Sequence, residues 1–235
     1  MRRIYILALI LILASLLFFT FYDLLHPTEF ETDKTQISDY YIEHGVKETG
    51  AINLVTAILF DYRAFDTLGE ATVIFIAVSA ISLLATKERV LVSNTNFSPI
   101  VYQGISFIIP FLYILAFYLI FYGHLSPGGG FTGGVVIATT FVLLKMTFGI
   151  RYSREEKSLQ RRSLIESCGA IGFIIVGILG IVRGDSFLAN GQAGFDLGVA
   201  GQLLSAGIIP ILNLFTGIKV GSGLAIIFHR LVREE

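Results

Sequence analysis

Apolar residues run along this chain in long uninterrupted blocks, not in the alternation of a half-buried strand or the half-polar rhythm of a soluble helix. A bilayer core about 30 Å thick is crossed by roughly 20 mostly apolar residues in a helix. Six blocks approach that length: residues 4–22, 71–86 (with 67–70 in front), 100–122, 131–150, 165–182 and 197–218. The fourth is interrupted by Lys145, and the sixth is able to continue as helix through His229. The first follows Arg2 and Arg3 and ends in Phe18-Phe19-Thr20-Phe21-Tyr22, without the small residues of a cleavage site, so it reads as a retained anchor. Residues 51–60 are also apolar, but at about 1.5 Å per residue they reach half of the core, and charges flank them. The pattern predicts an all-α integral membrane protein of six transmembrane helices, with a short non-spanning helix at 51–60 in the outer loop.

Charge fixes the threading. With six spans and a cytoplasmic N-terminus, eleven Lys and Arg fall on inner segments and four (Lys34, Lys47, Arg63, Arg183) on outer ones. Seven spans with the N-terminus outside give the same ratio. The shortness of 51–60 and the Arg2-Arg3 pair decide for six, with both termini cytoplasmic in a multi-pass protein of the cell membrane. Composition agrees, at 54% hydrophobic, 15% charged and a mean hydropathy of +0.75, where a soluble domain is about a quarter charged. A net charge of −1 gives no bulk attraction to nucleic acid. The single Cys168 excludes an intrachain disulfide and an all-cysteine metal or iron–sulfur site. No catalytic residue, metal site or resident cofactor is expected.

Half of the acidic residues, nine of eighteen, lie between residues 23 and 66. That outer stretch is a solvated connector or a cation-attracting vestibule. A turn-rich linker, Ser93-Asn94-Thr95-Asn96, divides the chain into a two-span unit (1–88) and a four-span unit (89–235). Gly130/Gly134, Gly129/Gly133, Gly180/Gly184, Gly194/Gly198 and Gly217/Gly221 are pairs one turn apart, the spacing that lets membrane helices approach closely.

Four places carry candidate chemistry. Asp61, Asp66 and Glu70 cluster at the mouth of the second span. Thr67-x-x-Glu70 matches a capping box, in which both side chains satisfy helix-end amides; the other reading makes Glu70 a membrane carboxylate that exchanges protons or cations with a neighbouring subunit. Lys145 either snorkels to the headgroups or lies buried on a proton path. The string from His124 to Gly134 contains Pro127, Gly128, Gly129, Gly130, Phe131, Gly133 and Gly134. Backbone so open must sit at the surface or be covered by protein, and without a following Gly-Lys-Ser/Thr it is no phosphate loop. Arg183 and Asp185 with Asp196 read as loop residues.

Ser126-Pro-Gly-Gly-Gly-Phe-Thr-Gly-Gly134 resembles the hallmark of the MnhB/MrpB subunit of multisubunit Na+/H+ antiporters, over residues 89–235. Asp61-Tyr-Arg-Ala-Phe-Asp-Thr-Leu-Gly-Glu70 is similar to the C-terminal region of the large antiporter subunit MrpA and to the small subunit MbhE of archaeal membrane-bound hydrogenases. Such a fusion resembles subunits of archaeal respiratory complexes with an antiporter module, such as the membrane-bound sulfane sulfur reductase. The resemblance implies a subunit with no redox chemistry of its own, embedded in the bilayer among other Mrp-type subunits. A hydrogenase-like or sulfur-reducing peripheral arm belongs to the partners it implies, and sodium ions and protons are the transported species. Glu70 would be the family's membrane carboxylate, with Asp66 in the same motif. The resemblance also implies that the chain lacks the lysine–glutamate pairs of the large transporter subunits. The alternative is a scaffold that packs neighbouring subunits without carrying ions.

Overall fold

The computed structural model describes residues 31–84, 90–92, 97–148, 155–184 and 186–234, with helical positions scattered through 11–22. The expected anchor at 4–22 lies largely outside the described residues, as does the expected boundary between residues 88 and 89. The chain divides into two compact units, Met1–Glu43 and His44–Glu235. Helix α1 (Glu31–Thr49) begins in the first and ends in the second. It occupies the acidic outer stretch, where no helix is expected from hydropathy: its sequence is polar throughout, and a polar helix leaves no apolar signature.

The second unit continues with α2 (Leu54–Ala57), which runs into one π-helical turn, Ile58–Tyr62, and breaks at Arg63. Asn53 caps α2 by accepting from the amides of Val55 and Thr56. Five helices long and apolar enough to cross a membrane follow among the described residues: α3 (Ala64–Leu84), α4 (Pro99–Phe121), α5 (Gly130–Phe148), α6 (Glu155–Gly184) and α7 (Ile209–Leu231). In α6 the crossing stretch is Leu159–Gly184. The described fold is helical apart from one three-residue parallel pairing of β1 (Val90–Val92) with β2 (Val232–Glu234).

Helix α7 is the axis of the bundle. Its crossing window is 61% buried within the chain, against 11% for α4. Helices α5, α6 and α3 pack around it, and α4 packs on α5. Small residues explain the closeness, because lipid supplies no hydrophobic drive between helices and contact depends on how near the backbones come. A Cβ on Gly134 would sit 2.9 Å from the carbonyl of Gly217 and 3.0 Å from the amide of Gly221, so Gly130/Gly134 and Gly217/Gly221 form one seam between α5 and α7. Gly194/Gly198 is different. Both residues have positive φ in a loop, so this pair is not a helix-packing motif.

The sixth expected span is corrected in position. Residues 197–208 are not helical, and the helix starts at Ile209 and ends at Leu231. Gly198, Gly201, Ala206 and Gly207 all take positive φ there, which no helix accommodates. Hydropathy registers that segment as apolar and does not register the backbone reversal. The shift carries Lys219 from the expected end of a span into its interior.

Candidate functional site

The three long loops at one end of the bundle, residues 50–63, 122–129 and 185–208, are built together by side-chain amides. The side-chain amide of Asn53 donates to the carbonyls of Gly123 (2.7 Å) and Ser126 (2.9 Å), and the Thr56 hydroxyl donates to Gly123 (2.8 Å). From the other side the Asn213 carbonyl oxygen accepts from the amide of Gly130 (2.8 Å), capping the start of α5. The Pro-Gly-Gly-Gly segment is thus clamped between α2 and α7 and covered by protein. Gly129, at φ +130°, is required there by its backbone.

Glu70 lies in α3, six residues from its start, about 9 Å along the axis. This placement overturns the capping-box reading. Thr67 is inside the helix, and its hydroxyl donates to the carbonyl of Leu59 (2.6 Å) across the break at Arg63. Glu70 is exposed on the chain's surface, at the rim of a cavity of about 600 Å³. Thr56, Thr67, Gly128, Gly129, Gly130, Phe131, Thr132 and Thr216 also line it. The fold therefore brings Glu70 and the glycine-rich string, sixty residues apart, to one recess.

Asp66 and Asp61 point elsewhere. Asp66 pairs with Arg63 at 2.6 Å on an exposed face, an arrangement worth at most about 1 kcal/mol. Asp61 accepts from the side-chain amides of Gln192 (2.9 Å) and Asn190 (3.1 Å), and Asn190 in turn accepts from the amide of Ile208. Asp61 therefore ties the long loop before α7 to the segment before α3. Burial raises its carboxyl above the usual range, offset in part by those two amides. Tyr62 donates to Glu48 (2.6 Å) beside it. His124 is wholly buried under the same loop. Burial lowers its imidazole below the ordinary value, and the backbone at Gln202 and Leu203 opposes that.

At the other end Lys145 does not snorkel. It is buried in α5 against Nδ1 of His229 in α7. Two protonated bases cannot share that contact, so one of the two is neutral. Arg162 of α6 stacks on Phe141 close by, 3.5 Å from the ring centre.

One pair was not anticipated by sequence. Lys219 of α7 faces Glu166 of α6 at 3.6 Å, both side chains 4% exposed. The expectation that the chain lacks a membrane lysine–glutamate pair is thereby corrected. Sequence placed Glu166 at the edge of one span and Lys219 beyond the end of another; a span placed twelve residues later would have put both inside. Thr216 and Asn213 continue the polar stripe one turn apart on α7, each with a buried polar atom lacking a hydrogen-bond partner.

Residues 100–226 match the family model of a domain related to the MnhB subunit of Na+/H+ antiporters, and residues 1–96 match the MbhE family model, which represents a component of MBH. The chain is 32% identical over 215 residues to an uncharacterized protein of Methanocaldococcus jannaschii, covering 80% of this chain and 79% of that one. It is 28% identical to a probable K+/H+ antiporter protein of Rhizobium meliloti that carries the A and B subunits in one chain, over 77% of this chain and 21% of that longer protein. Among solved structures it is similar to a chain of the membrane-bound sulfane sulfur reductase, an archaeal respiratory membrane complex. The TM-score is 0.73, with 35% identity over 100% of this chain and 99% of that one.

Proposed function

The chain belongs to the family of domains related to the MnhB subunit of Na+/H+ antiporters, and from that membership we propose that it is a non-catalytic subunit of a cation/proton antiporter module. In this reading Glu70 receives the proton or cation at the recess beneath the glycine-rich loop. The transported cation is sodium, the partners are other antiporter subunits, and a hydrogenase-like or sulfur-reducing arm drives the complex. Both termini face the cytoplasm, which puts the loop-bearing end outside.

The observation that carries the reading is Glu70 itself. A carboxylate exposed on a membrane-crossing helix is costly against lipid, so a neighbouring polypeptide is what makes its position tenable. The threonines of the recess supply oxygen ligands suited to a hard cation or a proton chain. The scaffold alternative loses the cap that would have given Glu70 a purely structural task.

Glu70→Gln keeps shape and removes charge. In vesicles carrying the assembled complex, cation-dependent proton movement should fall about tenfold or more, with assembly unchanged, when sodium is the driving cation. Undiminished transport by assembled Glu70→Gln complexes would overturn the reading. Loss with potassium and not with sodium would reassign the cation.

A further inference from the structure

Lys219 and Glu166 take no part in the role given to Glu70, yet they are the deepest charges in the described fold. Lys219 is ten residues into α7, about 15 Å along a crossing helix. Withdrawing two charges from water is unfavourable unless hydrogen bonds complete both groups. They are not completed: neither Glu166 Oε1 nor Lys219 Nζ has a hydrogen-bond partner. Two apolar side chains would pack α6 on α7 at least as well. A half-satisfied pair of this kind exists as ammonium–carboxylate or as amine–acid at comparable free energy, which suits it to taking up and releasing a proton.

The pair is also connected. Thr216, one turn nearer the loops, has a buried hydroxyl without a partner and lines the same recess as Glu70. Lys219 floors a second cavity of about 210 Å³ between α3 and α6, bordered by Leu68, Ala71, Thr72 and Phe173. From α3 the ring of Phe75 stands 5.5 Å from the ammonium; from α7 itself Gly223 leaves the carboxylate room. The next charges are Arg162, turned onto Phe141 of α5, and Lys145, held by His229.

We propose that Glu166 and Lys219 form a proton-loading site within the membrane, joined to the Glu70 recess through Thr216. A proton reaching Glu166 forms an O–H bond and leaves a neutral acid beside the Lys219 ammonium. The ammonium, now without a counter-charge, breaks one N–H bond and passes that proton through the Thr216 hydroxyl toward the Glu70 carboxylate. One proton enters and one leaves, and no oxidant or reductant takes part. The ammonium repels a sodium ion from the same carboxylate, so the site is selective for protons.

The test uses the intact complex in lipid. Infrared difference spectra between pH steps should show a protonated-carboxyl band that is absent in Glu166→Gln and has a different midpoint in Lys219→Gln. Cation-driven proton transport should fall about tenfold or more in each. Where a single variant fails to assemble, the double variant Glu166→Gln/Lys219→Gln, which removes both charges together, supplies the transport measurement. A band unchanged by Glu166→Gln, or wild-type transport by any assembled variant, overturns the proposal. The band reports on the pair whatever Glu70 does, so a silent Glu70→Gln variant refutes the preceding reading and leaves this one standing.

Discussion

Single residues divide here into those whose type announced their task and those whose task came from what the fold placed beside them. Glu70 is of the first kind: a carboxylate beside an apolar block stands out in any reading of the chain. Its neighbour Thr67 is of the second, since spacing alone fits a cap and the break at Arg63 places it inside the helix. His124 was legible only as part of a string, and its burial gives it a measurable signature. A histidine whose folded-state value is lowered binds fewer protons folded than unfolded as pH falls below its ordinary 6.5. Its contribution is therefore fully present above that value and is lost as pH falls through the lowered one. Hydrogen-exchange protection of residues 186–208 should decline from about pH 7 to about pH 5, and His124→Gln should flatten that decline. A protection profile identical in both proteins would show that the histidine is not what senses the acid.

Elements were legible where length and apolarity coincide, and misplaced where they part. Helices α3, α4 and α5 fall within a few residues of the expected spans, apart from the early start of α3. Helix α7 begins twelve residues later than its apolar block, because backbone reversals at Gly198, Gly201 and Gly207 keep the earlier part out of the helix. The α5–α7 seam gives this scale its prediction. At Gly217 a Cβ would lie 2.7 Å from the Ile120 side chain and 3.3 Å from the carbonyl of Gly130. Gly217→Leu should destabilise the bundle by about 1–3 kcal/mol through overpacking, seen as a lower Tm of the complex in detergent. Gly104→Ala, at a helical glycine with open space around it, should be neutral or slightly stabilising. Equal effects at the two sites would mean that the seam is not close-packed.

The whole molecule shows a bundle finished on one side. Helix α7 is enclosed, while α4 turns Ile100, Phe107, Phe111 and Ile114 outward, and α3 exposes Val73 and Ile76 beside Glu70. Outward apolar faces are ordinary in lipid; a carboxylate among them is not. A single cysteine at position 70, in the complex carrying Cys168→Ser, should therefore form a cross-link to another subunit with a short bifunctional reagent and be shielded from lipid-soluble maleimides. Ready labelling by such maleimides, with no cross-linked product, would place that face against lipid and remove the argument for a partner there.

Sequence alone determined that this is a multi-pass helical membrane protein, which families it resembles, and that Glu70 and the glycine-rich string matter. Those features are local, and an apolar block, a lone acid or a run of glycines carries its physical cost wherever the chain goes. Tertiary structure decided that the two motifs share one recess, that Lys145 meets His229, and that Lys219 faces Glu166 across 3.6 Å. Each of those meetings depends on the register of α7 against its neighbours. That register is set by which glycines pack and which ones turn the backbone, and composition and spacing do not encode that choice.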